Sequence, residues 1–400
     1  MPKPCSCGGF SLFHHCRASA RLLFQKQKSI RNSCAFGAQQ SETSRFLAEQ
    51  GENRRNTVVF RGFLTQFRRK SAISDRIGFG YGHLKHKKRV RNMQKYLPEG
   101  IGFLNAENKR ILSNFHLLRE AFYNETVLEA RAVLCDRAHN LHVDLGEVRG
   151  FIPREECALG ISEGTVRDIA VISRVNKPVS FKILGFQEDE NGVHTAILSR
   201  RAVQADCRTQ YLEKLRPGDV IDACITRLEP FGAFCDVGAG VPALLPIDSI
   251  SVSRIPHPRV RFAVGQQIRA VLKSIDENGR ITLSHKELLG TWEENAAHFR
   301  AGETVPGVVR SIEKYGIFVE LAPNLAGLAE YTPGVQEGDC ASVYIKSINP
   351  ERMKIKLILV DHFPPTETKF CYTYPDTEHI DVWKYSPEGA AKCIETVFLE

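Results

Sequence analysis

Between Arg216 and Leu289 the chain alternates apolar and polar positions in short runs, each ended by a Gly, Pro or Asn turn signal. The runs 216–237, 238–248, 264–276 and 278–286 together predict five short strands of a small antiparallel barrel. A period of two puts Ala233, Cys235 and Val237 on one face and Phe234 and Asp236 on the other. The small apolar set suits a barrel interior, which leaves Phe234 on the polar outside, beside Phe231. A ring held there either offers a base a stacking platform or covers a neighbouring helix.

The same pattern recurs downstream. Gly302 follows Gly218, and Gly316 follows Gly232, by the same 84 positions, as an internal repeat requires. Over 300–361, Ile317, Val319 and Leu321 point one way and Phe318 and Glu320 the other, so Tyr315 and Phe318 take the places of Phe231 and Phe234. A ring on the polar side of the same strand in two copies favours stacking over coverage. Residues 124–202 read as a first, degenerate copy, with Leu141, Val143 and Leu145 alternating with His142 and Asp144. In that copy His139 and His142 replace the two rings, and 179–184 and 197–202 supply the closing strands.

Helical spacing organises the connections. Ile111, Leu112, Phe115, Leu118 and Phe122 predict a helix over 106–123, with its apolar face on the first barrel. Linker helices are expected at 203–215 and at 287–299, where Trp292 is read as packing between barrels. The resulting division is a helical lead-in at 93–123, barrels at 124–202, 216–286 and 300–361 joined by those helices, and a tail at 362–400. The tail, broken by Pro and rich in aromatics, is expected to pack on the third barrel or dock a partner.

Charge separates the first 92 residues from the rest. They hold 19 Lys and Arg against 4 Asp and Glu, whereas 93–400 hold 35 against 42. Residues 1–92 therefore read as a basic disordered arm, as an organellar transit peptide, or as sequence upstream of a true start at Met93. The abrupt change of composition at Met93 favours the last. The acidic balance beyond it argues against strong non-specific phosphate binding and still permits single-strand binding by stacking with a local basic groove.

The segments Gly218-Asp-Val, Glu229-Pro-Phe-Gly-Ala-Phe-Cys-Asp, Leu244-Leu-Pro-Ile, Val264-Gly, Ser274-Ile-Asp and Arg280-Ile-Thr-Leu-Ser-His-Lys carry a specific likeness. In this order they resemble the S-one domain, an RNA-binding oligonucleotide-binding (OB-fold) barrel found in tandem in a small-subunit ribosomal protein. The resemblance implies a mainly β chain of three tandem five-stranded barrels in a shortened bacterial member of that family. It also implies RNA contacts from Phe231 and Phe234, and from Asp276 and Arg280 around the last hairpin; in the third copy these fall to Tyr315, Phe318, Arg352 and Lys354. Pro246 stands where the family often has His, and no His follows Gly327-Leu. The first copy is similar to early repeats of the family, which contact the ribosome or proteins more than RNA.

Other chemistries find little footing. No apolar run is long enough to span a bilayer. Cys5, Cys7 and Cys16 lie near His14 and His15 at spacings that match no standard zinc site, so neither metal nor cofactor is expected. No Walker-type loop, nucleophile elbow or His-Glu-x-x-His helix is present, and the repeats occupy most of the chain, so no enzyme is expected. The reading is a cytoplasmic monomer that binds single-stranded RNA and contacts messenger RNA or the small ribosomal subunit; a transit peptide at 1–92 would make it organellar. Two rivals remain open at this point: a protein-interaction adaptor with reduced RNA affinity, and an accessory subunit of an RNA-degrading assembly.

Overall fold

A computed structural model describes residues 96–188, 192–365 and 372–398. The expectations for 1–92, including its cysteines and the step at Met93, lie outside the described residues.

Three closed five-stranded barrels follow one another. The first is built from β1 (Leu128–Cys135), β2 (Leu141–Asp144), β3 (Arg149–Ile152), β4 (Pro178–Glu188) and β5 (His194–Ser199). The second uses β6 (Val220–Glu229), β7 (Gly232–Asp236), β8 (Pro242–Pro246), β9 (Gln267–Ile275) and β10 (Ile281–Ser284). The third uses β11 (Thr304–Glu313), β12 (Gly316–Ala322), β13 (Leu325–Ala329), β14 (Cys340–Asn349) and β15 (Lys354–Phe363). All neighbouring strands are antiparallel except the pair that closes each barrel, third strand to fifth, which is parallel. Inward positions follow the expected alternation: Ala233, Cys235 and Val237 in the second barrel, and Ile317 and Val319 in the third, are fully buried. Burial pushes the Cys235 thiol up to about 12, so it serves as a small apolar filler; Cys135 and Cys224 are half-buried.

Helices deviate from the expectation because polar side chains stop them. The helix foreseen over 106–123 is two, α1 (Ala106–Leu112) and α2 (Phe115–Tyr123). Ser113 closes the first, its Oγ donating to Arg110 O, and Asn114 caps the second, its side-chain oxygen accepting from His116 N and Leu117 N. Leu118 and Ala121 of α2 are buried in the first barrel's core. The first linker is α4 (Arg200–Gln210), which follows the one-turn α3 (Ile169–Ile172) and is itself followed by a 3-10 turn at Leu212–Lys214. Ser199 caps α4 by accepting from Ala202 N, so the end of the stretch expected to form a strand is helix. The second linker is a 3-10 turn (Lys286–Leu289) and the short α5 (Trp292–Ala296), entered through a Thr291–Glu294 capping box, with Trp292 buried.

Alternation misplaces two carboxylates. Asp236 and Glu320, expected outside, are both buried because neighbouring segments close over the end of their strands. Asp236 accepts from the backbone N–H of Glu99, Gly238 and Gly240 at 2.8, 2.8 and 3.0 Å, and Glu99 in turn binds Arg200 at 2.6 Å and Arg174 at 3.1 Å. Burial and then the Glu99 charge push Asp236 up; burial also pushes Glu99 up, but Arg200 beside it wins and holds it low. One junction later, Glu320 takes a bidentate contact from Arg261 of the second barrel at 2.6 Å and another from Arg310 at 2.8 Å. Asn324 completes this junction, accepting from Val252 N and donating to the carbonyls of Lys286 and Gly290.

The tail packs mainly on the second barrel, not the third. Val220 N donates to Glu378 O and Ile380 N to Gly218 O, both at 2.9 Å, while His379 binds Asp219 at 2.7 Å. Phe398 joins Val220, Val271 and Leu288 in a small apolar cluster, with Tyr374 and Ile380 against it. The middle of the tail reaches the third barrel, where Tyr385 OH donates to Asn324 O at 2.5 Å and Ala391 N to Glu351 O at 3.0 Å. β16 (Val382–Lys384) and β17 (Glu395–Val397) pair as a two-stranded ribbon.

His285 lies under this tail, fully buried and edge-on to Phe262, Tyr372 and Tyr374. Its Nδ1 faces the Ile250 carbonyl at 3.1 Å, which can only accept, so Nδ1 carries the proton and Nε2 accepts from Tyr374 OH at 3.0 Å. Burial, helped by Arg261, pulls the ring down to about 4. The unfolded chain therefore takes up this proton below about pH 6.5, and stability falls as the pH drops from there toward 4. Between pH 7.5 and 5 this one ring is expected to cost about 2 kcal/mol. Asp236 acts in the opposite sense, but equally in wild type and in His285→Gln, so thermal melts of the pair at both pH values isolate the histidine. Identical acid sensitivity would refute the assignment.

Candidate nucleic-acid interface

Two aromatic pairs recur with one geometry. Phe231 and Phe234 stand edge-to-face with centroids 6.0 Å apart and an interplanar angle of 88°; Tyr315 and Phe318 do so at 6.1 Å and 89°. Phe231 and Tyr315 are 55 % and 69 % exposed, far more than a residue that serves as core. The intervening glycine makes each pair possible: a Cβ on Gly232 would lie 2.5 Å from Leu245 O, and one on Gly316 2.4 Å from Ala329 O. Only glycine lets the strand start so close to its neighbour and bring both rings onto one outer face.

Cross-strand register arranges the rest of that face. In the second barrel Phe234 pairs with Arg227 on one side and Leu244 on the other, and Leu244 pairs with Thr282. Arg227 is exposed and ion-paired with Glu229. In the third, Phe318 pairs with Ser311 and Leu328, and Leu328 with Lys356. Each ring thus sits between a polar or cationic residue and a leucine, with a second polar or cationic residue beyond the leucine, a row that can take an unpaired base on its apolar part and a phosphate on a cation.

The remaining predicted residues divide by position. Arg280 is exposed and directly precedes β10, beside the Phe234 row. Asp276 shapes the hairpin, its Oδ1 accepting from Arg280 N at 2.7 Å. Arg352 is exposed in the next hairpin, where its backbone N–H donates to Asn349 Oδ1 at 2.9 Å. Lys354 is exposed and opens β15. The residue in register with Phe318 through Leu328 is Lys356, which sequence reasoning missed although the Lys354-Ile-Lys-Leu alternation carries the signal. In the first barrel His142 meets Phe151 edge-on at 5.5 Å, and Phe151 holds the place of Leu244 and Leu328. His139 and His142 point toward Asp168 and Asp136 at 3.5 and 3.4 Å. Among the described residues no three His, Cys, Asp or Glu are placed to hold a metal ion, and no helix is long and apolar enough to cross a membrane.

The family model for the S1 RNA binding domain, the S-one barrel above, matches residues 214–286, that is, the second barrel. Small ribosomal subunit protein bS1 of Staphylococcus aureus (strain COL) is 32% identical over 282 residues, covering 66% of this chain and 69% of its own length. The bS1 protein of Leuconostoc lactis is 29% identical over 290 residues, covering 68% of this chain and 65% of its own. Among solved structures, a multidomain protein with nucleic acid binding domains from Streptococcus pneumoniae is similar over 59% of this chain and 74% of its own, at 14% identity and a TM-score of 0.20, too low to carry an argument. Identity at this level over two-thirds of both proteins, on barrels that repeat the aromatic face, shows that the chain belongs to the small ribosomal subunit protein bS1 family.

Proposed function

We propose that this protein binds single-stranded RNA, without catalysis, across the outer faces of its second and third barrels. The observation that carries the reading is the duplicated aromatic pair, held edge-to-face in both barrels at the same strand position. Stacking on Phe231, Phe234, Tyr315 and Phe318 is indifferent to base identity, and Arg280, Lys354 and Lys356 supply cations along the backbone. Each barrel alone binds weakly; linkage raises the effective concentration of the second site once the first is filled. Kinship with bS1 supports a place in translation, with messenger RNA and the small ribosomal subunit as partners, in the cytoplasm and as a monomer. Protein contact is the reading for the first barrel, where Leu134 and Ile169 are 54 % and 66 % exposed and a histidine replaces the outer phenylalanine.

Fluorescence-anisotropy titration with labelled single-stranded RNA over a salt series tests the proposal. Log affinity is expected to fall linearly with log salt, with a slope of about −0.7 per phosphate neutralised. Arg280→Ala and Lys356→Ala are each expected to flatten that slope by about one phosphate's worth. Unchanged slopes would take these two cations off the RNA path, and absence of binding at low salt would leave the adaptor role.

A further inference from the structure

The outer face formed by the first and fourth strands is covered in two barrels and open in the third. In the first barrel residues 99–108 lie over Glu129 and Ser180, with Gly100 N and Phe103 N donating to Glu129 and Ser180 N to Glu99. In the second, the tail buries the paired Val220 and Val271 under Ile380 and Phe398. The matching pair in the third barrel is Thr304 and Tyr344, and there the ring is 37 % exposed, opposite Ile358 at 47 %.

Alternation makes this open face continuous with the aromatic row. Lys354, Lys356 and Ile358 all point outward along β15, as Tyr344 and Lys346 do along β14. Lys356 belongs to the Phe318 row, and Ile358, two residues on, is the cross-strand partner of Tyr344. β12 and β14 are separated by β13 and β15, about 14 Å around the barrel at ordinary strand spacing. Between the two rings the cations are Lys356 and Lys346; the acid Glu330 follows β13 beside Ile358 in the register, and Asp361 lies farther along β15, opposite Ser342.

We propose that Tyr344 is a second stacking platform on the third barrel, and that single-stranded RNA continues from Phe318 over Lys356 to reach it. The proposal rests on the RNA-binding reading above. It gives the third barrel a longer site than the second, whose equivalent position is Val271 beneath the tail.

The test uses the full chain carrying Phe231→Ala and Phe234→Ala, which silences the second barrel, and an oligouridine series from about 4 to about 16 nucleotides, the range of OB-fold site sizes. Tyr344→Val, which installs the residue the second barrel already carries, is expected to leave the shortest oligomer unaffected and to weaken the longest by about tenfold. Phe318→Ala in the same background is expected to weaken every length. If Phe318→Ala loses affinity while Tyr344→Val matches its parent throughout, the extension is wrong and the aromatic site stands. Equal weakening at all lengths by Tyr344→Val also overturns it, as a general disturbance of the barrel. If no oligomer binds the intact wild-type chain, both readings fall together.

Discussion

Replacing Glu320 with alanine is expected to destabilise the protein by about 3–5 kcal/mol, the penalty for breaking a buried ion pair on one side only. The Glu320 carboxylate meets Arg261, whose side chain is 0 % exposed, and Arg310, at 9 %. Glu320 is the carboxylate that both guanidinium groups share, so its loss leaves their charge uncompensated in a low-dielectric junction. Glu320→Ala is expected to lower the melting temperature by several degrees and to raise proteolytic cleavage in the 286–303 connection. The double variant Arg261→Met, Glu320→Leu removes that pair together and is expected to recover part of the loss, since well-packed apolar replacements of buried pairs are often neutral. A single variant that melts within about 1 kcal/mol of wild type would mean that water reaches this junction.

Removing all four rings, by Phe231→Ala, Phe234→Ala, Tyr315→Ala and Phe318→Ala together, is expected to lower RNA affinity by at least about a hundredfold. A stacked base contributes about 1–3 kcal/mol by alanine substitution, and two barrels lose their platforms at once. Removing either pair alone is expected to have a smaller effect, about tenfold, because the other barrel still holds the strand. Phe231 and Tyr315 are so exposed that truncating them costs little folding energy, which gives an internal control: Phe231→Ala with Tyr315→Ala should bind less and melt unchanged. Affinity that persists in the fourfold variant, with the barrels intact by circular dichroism, would take the rings out of the mechanism and return the protein to the adaptor role.

Strand content, the 84-residue repeat and the four rings were all legible in the sequence, because each depends on a local rule. A period of two decides which side of a strand a residue faces, and glycine before Ala233 or Ile317 marks where a chain must pass close to its neighbour. Lys356 was legible in principle from the same alternation. The hairpin bond of Asp276 to Arg280 N was not, since a carboxylate oxygen can turn inward on its own hairpin as readily as outward.

What only the tertiary structure decided is which outward faces remain outward. Asp236 and Phe234 sit two apart on one strand and read alike, yet Asp236 is buried because the 96–105 segment and α4 close over that end of the barrel. Glu320 differs from Phe318 for the same reason, with Arg261 arriving from the barrel before it. The tail, whose spacing signals no destination, covers Val271 and so leaves Tyr344 as the open counterpart in the third barrel. Alternation assigns a residue to a side of a sheet; whether that side meets water depends on contacts far apart in the chain, which no local period encodes.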